Sequence, residues 1–247
     1  METRGRSEPR IYVATYHPLC LYEGSPGLLD RVKGVPRYVD SSVRREPDLE
    51  LPLPTISALC RLDLFAPKLI VGDKVIYLGV KRRYGQAAEG LYPLTAVLEV
   101  SRLFASHEEA ATWYEAQGMR RPYNTVCSPH CWDTCSQQWD KEAWLANYDK
   151  RYQGWRTGKN DGKMVREPNR VKCIISRTPR FLALQARSSG SPPPLLSEMD
   201  LRMALVDRMR GKARLGTQNP CTISNREYEN LVGLSKVANH EGWLTSC

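Results

Sequence analysis

The apolar positions along this chain fall into short strands separated by turn-rich segments, with helical spacing confined to a few stretches. Residues 10–15 (RIYVAT) form a β-branched and aromatic run that predicts a first strand, leading into Tyr16-His17-Pro18-Leu19-Cys20. Residues 74–80 follow a Gly72-Asp73 turn and alternate Val75, Tyr77 and Gly79 against Ile76, Leu78 and Val80. Residues 94–100 read Leu-Thr-Ala-Val-Leu-Glu-Val. Two β-rich runs with turn residues between them predict a hairpin. Its connection contains Lys81-Arg82-Arg83-Tyr84-Gly85, three cations and one aromatic.

Helical signals are fewer. Ser106-His107-Glu108-Glu109 is a capping-box pattern, in which the Ser hydroxyl accepts from the third helical amide and Glu109 reaches back. It predicts a helix to about Gln117, stopped by Gly118. Ser224-x-x-Glu227 predicts a second helix to about Asn239. Residues 55–65 read as a strand or a short helix, with helix preferred, and helices are expected over 132–151 and, through Leu196, Met199, Met203, Val206 and Met209, over 195–210. Residues 170–184 predict a strand interrupted at Pro179, and 188–194 (SSGSPPP) a linker. Residues 24–45 read as loop with a short helix near 28–32, and 46–54 as an acidic, Pro-rich connector.

Composition adds charge to this picture. The 247 residues are 41% hydrophobic and 26% charged, as in an ordinary globular chain. No apolar run approaches the roughly 18 residues of a membrane span, so no membrane partner is expected. The polar N-terminus lacks the apolar core of a signal peptide, so a cytoplasmic location and reduced thiols for the eight cysteines are expected. The net charge of +9 is uneven. Residues 120–214 hold 19 Lys and Arg against 9 Asp and Glu, while the rest of the chain holds 17 against 18. Clustered cations attract phosphate and release its counterions, so a nucleic-acid partner is expected.

The order of elements in the first half carries a resemblance. An initial strand with a Tyr and a Pro-rich loop precede PTISALCRLDLFAPKLIVGDKVIYLG, with Ile56-Ser57 through Cys60-Arg61 and Pro67 to Gly72-Asp73 as the matching features. The strand LTAVLEV and a helix beginning SHEEAATWY come next. Residues 10–126 thereby resemble the nucleotide-modification-associated domains, PUA-like modules related to the ASCH and EVE domains. The resemblance implies an α+β fold: a PUA-like curved antiparallel β-barrel with flanking helices. Residues 1–9 would be a disordered tail, and 127–247 a basic, mainly helical C-terminal extension packed on the barrel. It also implies a reader of nucleic acid that takes a modified base into a barrel pocket. The insertion over 31–51 and the long basic second half depart from the family pattern.

A flipped base needs ring faces for stacking and directional polar groups for its edge. The candidates are Tyr16, His17, Ser57, Arg61, Tyr84, Trp113, Tyr123 and Asn124, each of which also has a plain packing reading. Trp113 and Tyr114 are adjacent, so only one of them can face the barrel well. Lys81, Arg82, Arg83, Arg120 and Arg121 are the phosphate candidates. Cys127, His130, Cys131 and Cys135 form the one metal-like cluster, which Cys173 or Cys221 could complete around Zn²⁺. Four ligands within nine residues leave little chain to wrap a tetrahedron, so no cofactor is expected. P-loop, GxGxxG, GxSxG and HExxH patterns are absent, which argues against the common enzyme classes. The expected function is a nucleic-acid-binding reader, its partner DNA with a modified base, with DNA versus RNA left open. The alternative is an enzyme of nucleic-acid or nucleotide modification in phage defence, using the Cys/His cluster or the Arg-rich second half. A third possibility is a protein-interaction module docking through the Met-rich 195–210 segment.

Overall fold

The computed structural model describes residues 7–22, 38–41, 45–57, 65–125, 159–160, 163–164, 171–175, 193–209, 215 and 220–238. Its strands are β1 (Ile11–Tyr16), β2 (Thr55–Ser57), β3 (Lys74–Gly79), β4 (Tyr92–Phe104), β5 (Lys159–Asn160), β6 (Lys163–Met164), β7 (Val171–Ile175), β8 (Leu195–Leu196) and β9 (Cys221–Ile223). The α-helices are α1 (His107–Ala116), α2 (Glu198–Ala204), α3 (Val206–Met209) and α4 (Asn225–Ala238). One sheet runs in the order β2-β7-β4-β3-β1-β9, with β8 also paired to β4. β1 and β3 are parallel, and the other pairings are antiparallel. The sheet is mixed and curls into a half-barrel, and with its helices it gives the expected α+β class.

The expected hairpin forms from β3 and β4. β4 is 13 residues long and serves two partners, its first part pairing with β3 and its last part with β7. Register shifts interrupt the two ladders, at Tyr77/Leu78 and at Val100/Arg102. Bulges of this kind bend a strand and increase its twist, which is how one strand curls the sheet.

The Gly72-Asp73 turn fixes where β1, β3 and β4 meet. Gly72 has a φ of 89°, a conformation open to glycine. The buried Asp73 carboxylate accepts from the amides of Arg10 at 2.7 Å and Ile70 at 2.9 Å. The Gly72 amide donates to Val100 O, and the Val100 amide donates to Asp73 O. A dipeptide legible as a turn thus also sets the register of three strands.

Both faces of β1, β3 and the first part of β4 are covered, so these strands are apolar on both sides. Tyr12, Ala14, Tyr16, Val75, Tyr77, Ala96, Leu98 and Val100 join one core with Tyr38, Leu49, Phe65, Leu69 and Tyr84. Ile11, Val13, Ile76, Leu78, Leu94 and Val97 join another with Leu196, Leu201, Leu205, Leu231 and Val232. The alternation of β3 sends Val75 and Tyr77 to the first core and Ile76 and Leu78 to the second. A smaller cluster under α1 contains Leu51, Phe104, Ala110 and Tyr114.

The second half of the chain takes part in the same sheet: β7 lies between β2 and β4, and β9 pairs with β1. Two elements differ from expectation. Residues 55–57 are strand β2 rather than the start of a helix, because β7 supplies backbone partners to β-branched Thr55 and Ile56. The 195–210 segment begins as β8 and then breaks into α2 and α3. A Ser197–Asp200 capping box starts α2, and Leu201, Ala204 and Leu205 form its buried face. Met199 and Met203, expected to be apolar-face residues, are 66% and 65% exposed. The expected helices at 28–32 and 132–151 lie outside the described residues.

Candidate nucleic-acid interface

The β3–β4 connection builds an exposed cationic tip on a fixed frame. Arg82 and Leu91 exchange backbone hydrogen bonds, from Arg82 N at 3.2 Å and from Leu91 N at 2.8 Å. Tyr84 is buried below them, and its hydroxyl donates to Val80 O at 2.7 Å. Burial pushes that phenol well above its ordinary pKa, with a further rise from Cys20 and an opposing pull from Arg82. Its ring lies 6.3 Å from that of Tyr38. Tyr84 is therefore the anchor under the loop, and Lys81, Arg82 and Arg83 are its exposed groups.

These three cations are not equivalent. Lys81 pairs with Glu198 at the start of α2. The Arg82 guanidinium donates to Lys81 O, and among the described residues neither Arg82 nor Arg83 has an acidic partner.

The other phosphate candidates are engaged within the protein. Arg120 holds Asp48 through two 2.9 Å hydrogen bonds and stacks its guanidinium 3.8 Å from the Tyr123 ring. Arg121 pairs with Glu115 at 2.7 Å.

The base candidates fall into separate places. Tyr16 is buried in the first core, donates to Tyr38 O and packs edge-on to Tyr77. Burial drives its phenol well above the ordinary value, against a smaller lowering by its hydrogen bond with Thr95. His17 follows β1 and is partly exposed, its carbonyl accepting from Ser41 N at 2.9 Å.

Ser57 is buried and gives its amide and hydroxyl to the Glu46 carboxylate. Asn124 is buried against Thr55, accepting from its hydroxyl at 2.7 Å and donating to its carbonyl at 2.9 Å. Tyr123 is half-buried, and its amide donates to Asp48 at 2.8 Å. Tyr123 and Asn124 thus belong to one polar seam that joins the 45–57 segment to residues 120–125, while Ser57 bonds within the first of these segments. Asp48 lies at its centre, a role for which residue type and spacing give no signal.

Trp113 is half-buried on α1, while its neighbour Tyr114 is buried and donates to Leu53 O at 2.8 Å. The exposed Arg102 sits 4.9 Å from the Trp113 ring, on the last part of β4. This cation–ring pair is a second surface group suited to nucleic acid, and adjacency in sequence does not reveal it.

Arg61, Cys127, His130, Cys131 and Cys135 lie outside the described residues. Among the described residues no group of His, Cys, Asp or Glu is arranged to hold a metal ion, and no helix is long and apolar enough to cross a membrane. Compared with protein-family models, curated proteins and solved structures, the chain matches none.

Proposed function

We propose that this protein binds nucleic acid as a PUA-like reader, with the β3–β4 loop holding the phosphate backbone. Arg82 and Arg83 carry this reading: two adjacent exposed guanidiniums, without acidic partners among the described residues, on a loop whose backbone is fixed. Guanidinium forks match phosphate oxygens, and a fixed frame lowers the entropy lost on binding. The net charge of +9 adds long-range attraction. With Tyr84 buried, this loop contributes backbone contact rather than stacking. Base contact falls to the half-buried Trp113 with Arg102 above it, and to the Tyr-rich first core if its packing opens.

The modified-base part of the proposal rests on the ordered pattern from PTISALCR through SHEEAATWY. The test is a titration of the full chain with DNA and RNA, single- and double-stranded, with and without modified bases, over a range of salt. A reader binds with an affinity that falls as salt rises, and binds at least one modified oligonucleotide more tightly than its plain counterpart. Salt-independent binding, or none, rules out the nucleic-acid reading. Equal affinity for all bases rules out the reader.

A further inference from the structure

The basic loop carries its own counter-charge. Lys81 extends from the loop to α2, where its ammonium pairs with the Glu198 carboxylate. The stem passes over Gly90: a Cβ at that position would stand 3.0 Å from Lys81 Cγ and 3.2 Å from Cε. Glu198 has a second cation within reach, since Arg202 one turn on donates to it at 2.8 Å. Together the two cations lower the carboxyl pKa to about 2, Lys81 contributing first. Both members of the Lys81–Glu198 pair are open to solvent, at 42% and 40% side-chain exposure.

We infer that Glu198 is an ionic brake on the loop, holding Lys81 away from an incoming polyanion until phosphate displaces the carboxylate. This rests on the nucleic-acid reading above and concerns the regulation of that same loop. Three features suit the exchange. An exposed lysine–carboxylate pair is weak and screened by salt, so phosphate can compete with it. Glu198 keeps Arg202 after Lys81 leaves, so no uncompensated carboxylate remains. The backbone of Arg82 is held by Leu91, so Lys81 can swing by side-chain rotation alone. The loop then has two states, one presenting Arg82 and Arg83, the other presenting all three cations.

The experiment is a double-mutant cycle on the full chain, with Glu198→Gln, Lys81→Gln and the pair, read by titration with duplex DNA and, in parallel, heparin. Glu198→Gln is expected to tighten binding by about three- to tenfold near 0.1 M salt, and to steepen the log affinity–log salt slope by about one. Lys81→Gln alone is expected to change affinity less than about twofold, and to cancel the gain when added to Glu198→Gln. Glu89→Gln removes an equal charge from the basic loop itself, at a residue with no hydrogen bond to Lys81, and is expected to have the smaller effect. Additive single-mutant effects with both polyanions, no binding of either, or an equal effect of Glu89→Gln, overturn the brake. Coupling with heparin but no binding of DNA here or of RNA in the titration above retains the brake and overturns the nucleic-acid reading instead.

Discussion

Arg120 clasps Asp48 through two parallel 2.9 Å hydrogen bonds across 72 residues of sequence. Asp48 is fully buried and Arg120 is 33% exposed at its side chain. The same carboxylate also accepts from the amides of Tyr123 and Glu50. The pair therefore tethers the connector after Arg45 to the loop after α1.

Arg120→Ala leaves the Asp48 carboxylate buried without its main counter-charge. The expected loss is about 3 kcal/mol of folding stability, the lower part of the range for breaking a buried pair, since Arg120 is partly solvated. Urea unfolding measures it. The salt slope of nucleic-acid binding is expected to stay unchanged, because this guanidinium serves the fold.

Replacing Arg82 and Arg83 together by Gln is expected to do the reverse. Stability stays within about 0.5 kcal/mol, as for surface changes generally. The log affinity–log salt slope falls by about two, one for each phosphate that is no longer neutralised. Thermal unfolding and a salt series on one preparation check both parts.

Gly79→Ala tests the packing at the end of β3. A Cβ there would stand 2.9 Å from Pro18 Cγ, Pro93 Cδ and Tyr84 Oη at once. Two of the three are ring atoms that cannot rotate away, and the third anchors the basic loop. The expected cost is about 1–3 kcal/mol, as for overpacking, read from the urea midpoint.

Alkaline pH is expected to unfold the protein through its buried phenols. Tyr16 and Tyr84 both have pKa values raised above the ordinary 10.0, chiefly by burial. The folded state therefore keeps protons that the unfolded state releases. Stability is fully present below about pH 10 and declines as pH rises beyond it. Phenolate absorbance is expected to show these two groups ionising together with unfolding. Ionisation of all tyrosines in the folded state contradicts this.

Glu198 gives the acid-side counterpart. Its carboxyl, lowered from 4.5 to about 2 by Lys81 and then Arg202, is expected to titrate below the exposed carboxylates in a carbon-detected NMR series. The pairing is complete above the ordinary value and is lost as pH falls towards 2. In the Lys81→Gln variant the midpoint is expected to move up, with Arg202 retaining part of the shift.

Local rules made much of the frame legible. The Gly72-Asp73 turn, the alternation of β3 and the apolar run of β4 depend on neighbouring residues alone, and all three stand in the structure. The Ser224–Glu227 box is reciprocal, each side chain accepting from the other's amide. At α1, Ser106 accepts from Glu109 N as expected, while Glu109 reaches one residue further back, to Ala105 N. The site was less legible. Tyr84 as a residue type offers a ring to solvent or to the core equally well, and only the closure of the loop over Tyr38 decided for the core.

By itself the sequence determined the β3–β4 hairpin, two helix starts and an exposed run of cations between strands, because turns, caps and alternation are properties of adjacent residues. Tertiary structure decided what those groups can do. The pairing of β7 with Thr55–Ser57 turned an expected helix into an edge strand. Burial of Leu201, Ala204 and Leu205 rotated α2 and left Met199 and Met203 in solvent. Contacts across 72 and 117 residues consumed Arg120 on Asp48 and Lys81 on Glu198, leaving Arg82 and Arg83 as the loop's cations without an acidic partner among the described residues. Charge pairing over such distances depends on where the folded chain brings side chains together, and no spacing along the sequence encodes it.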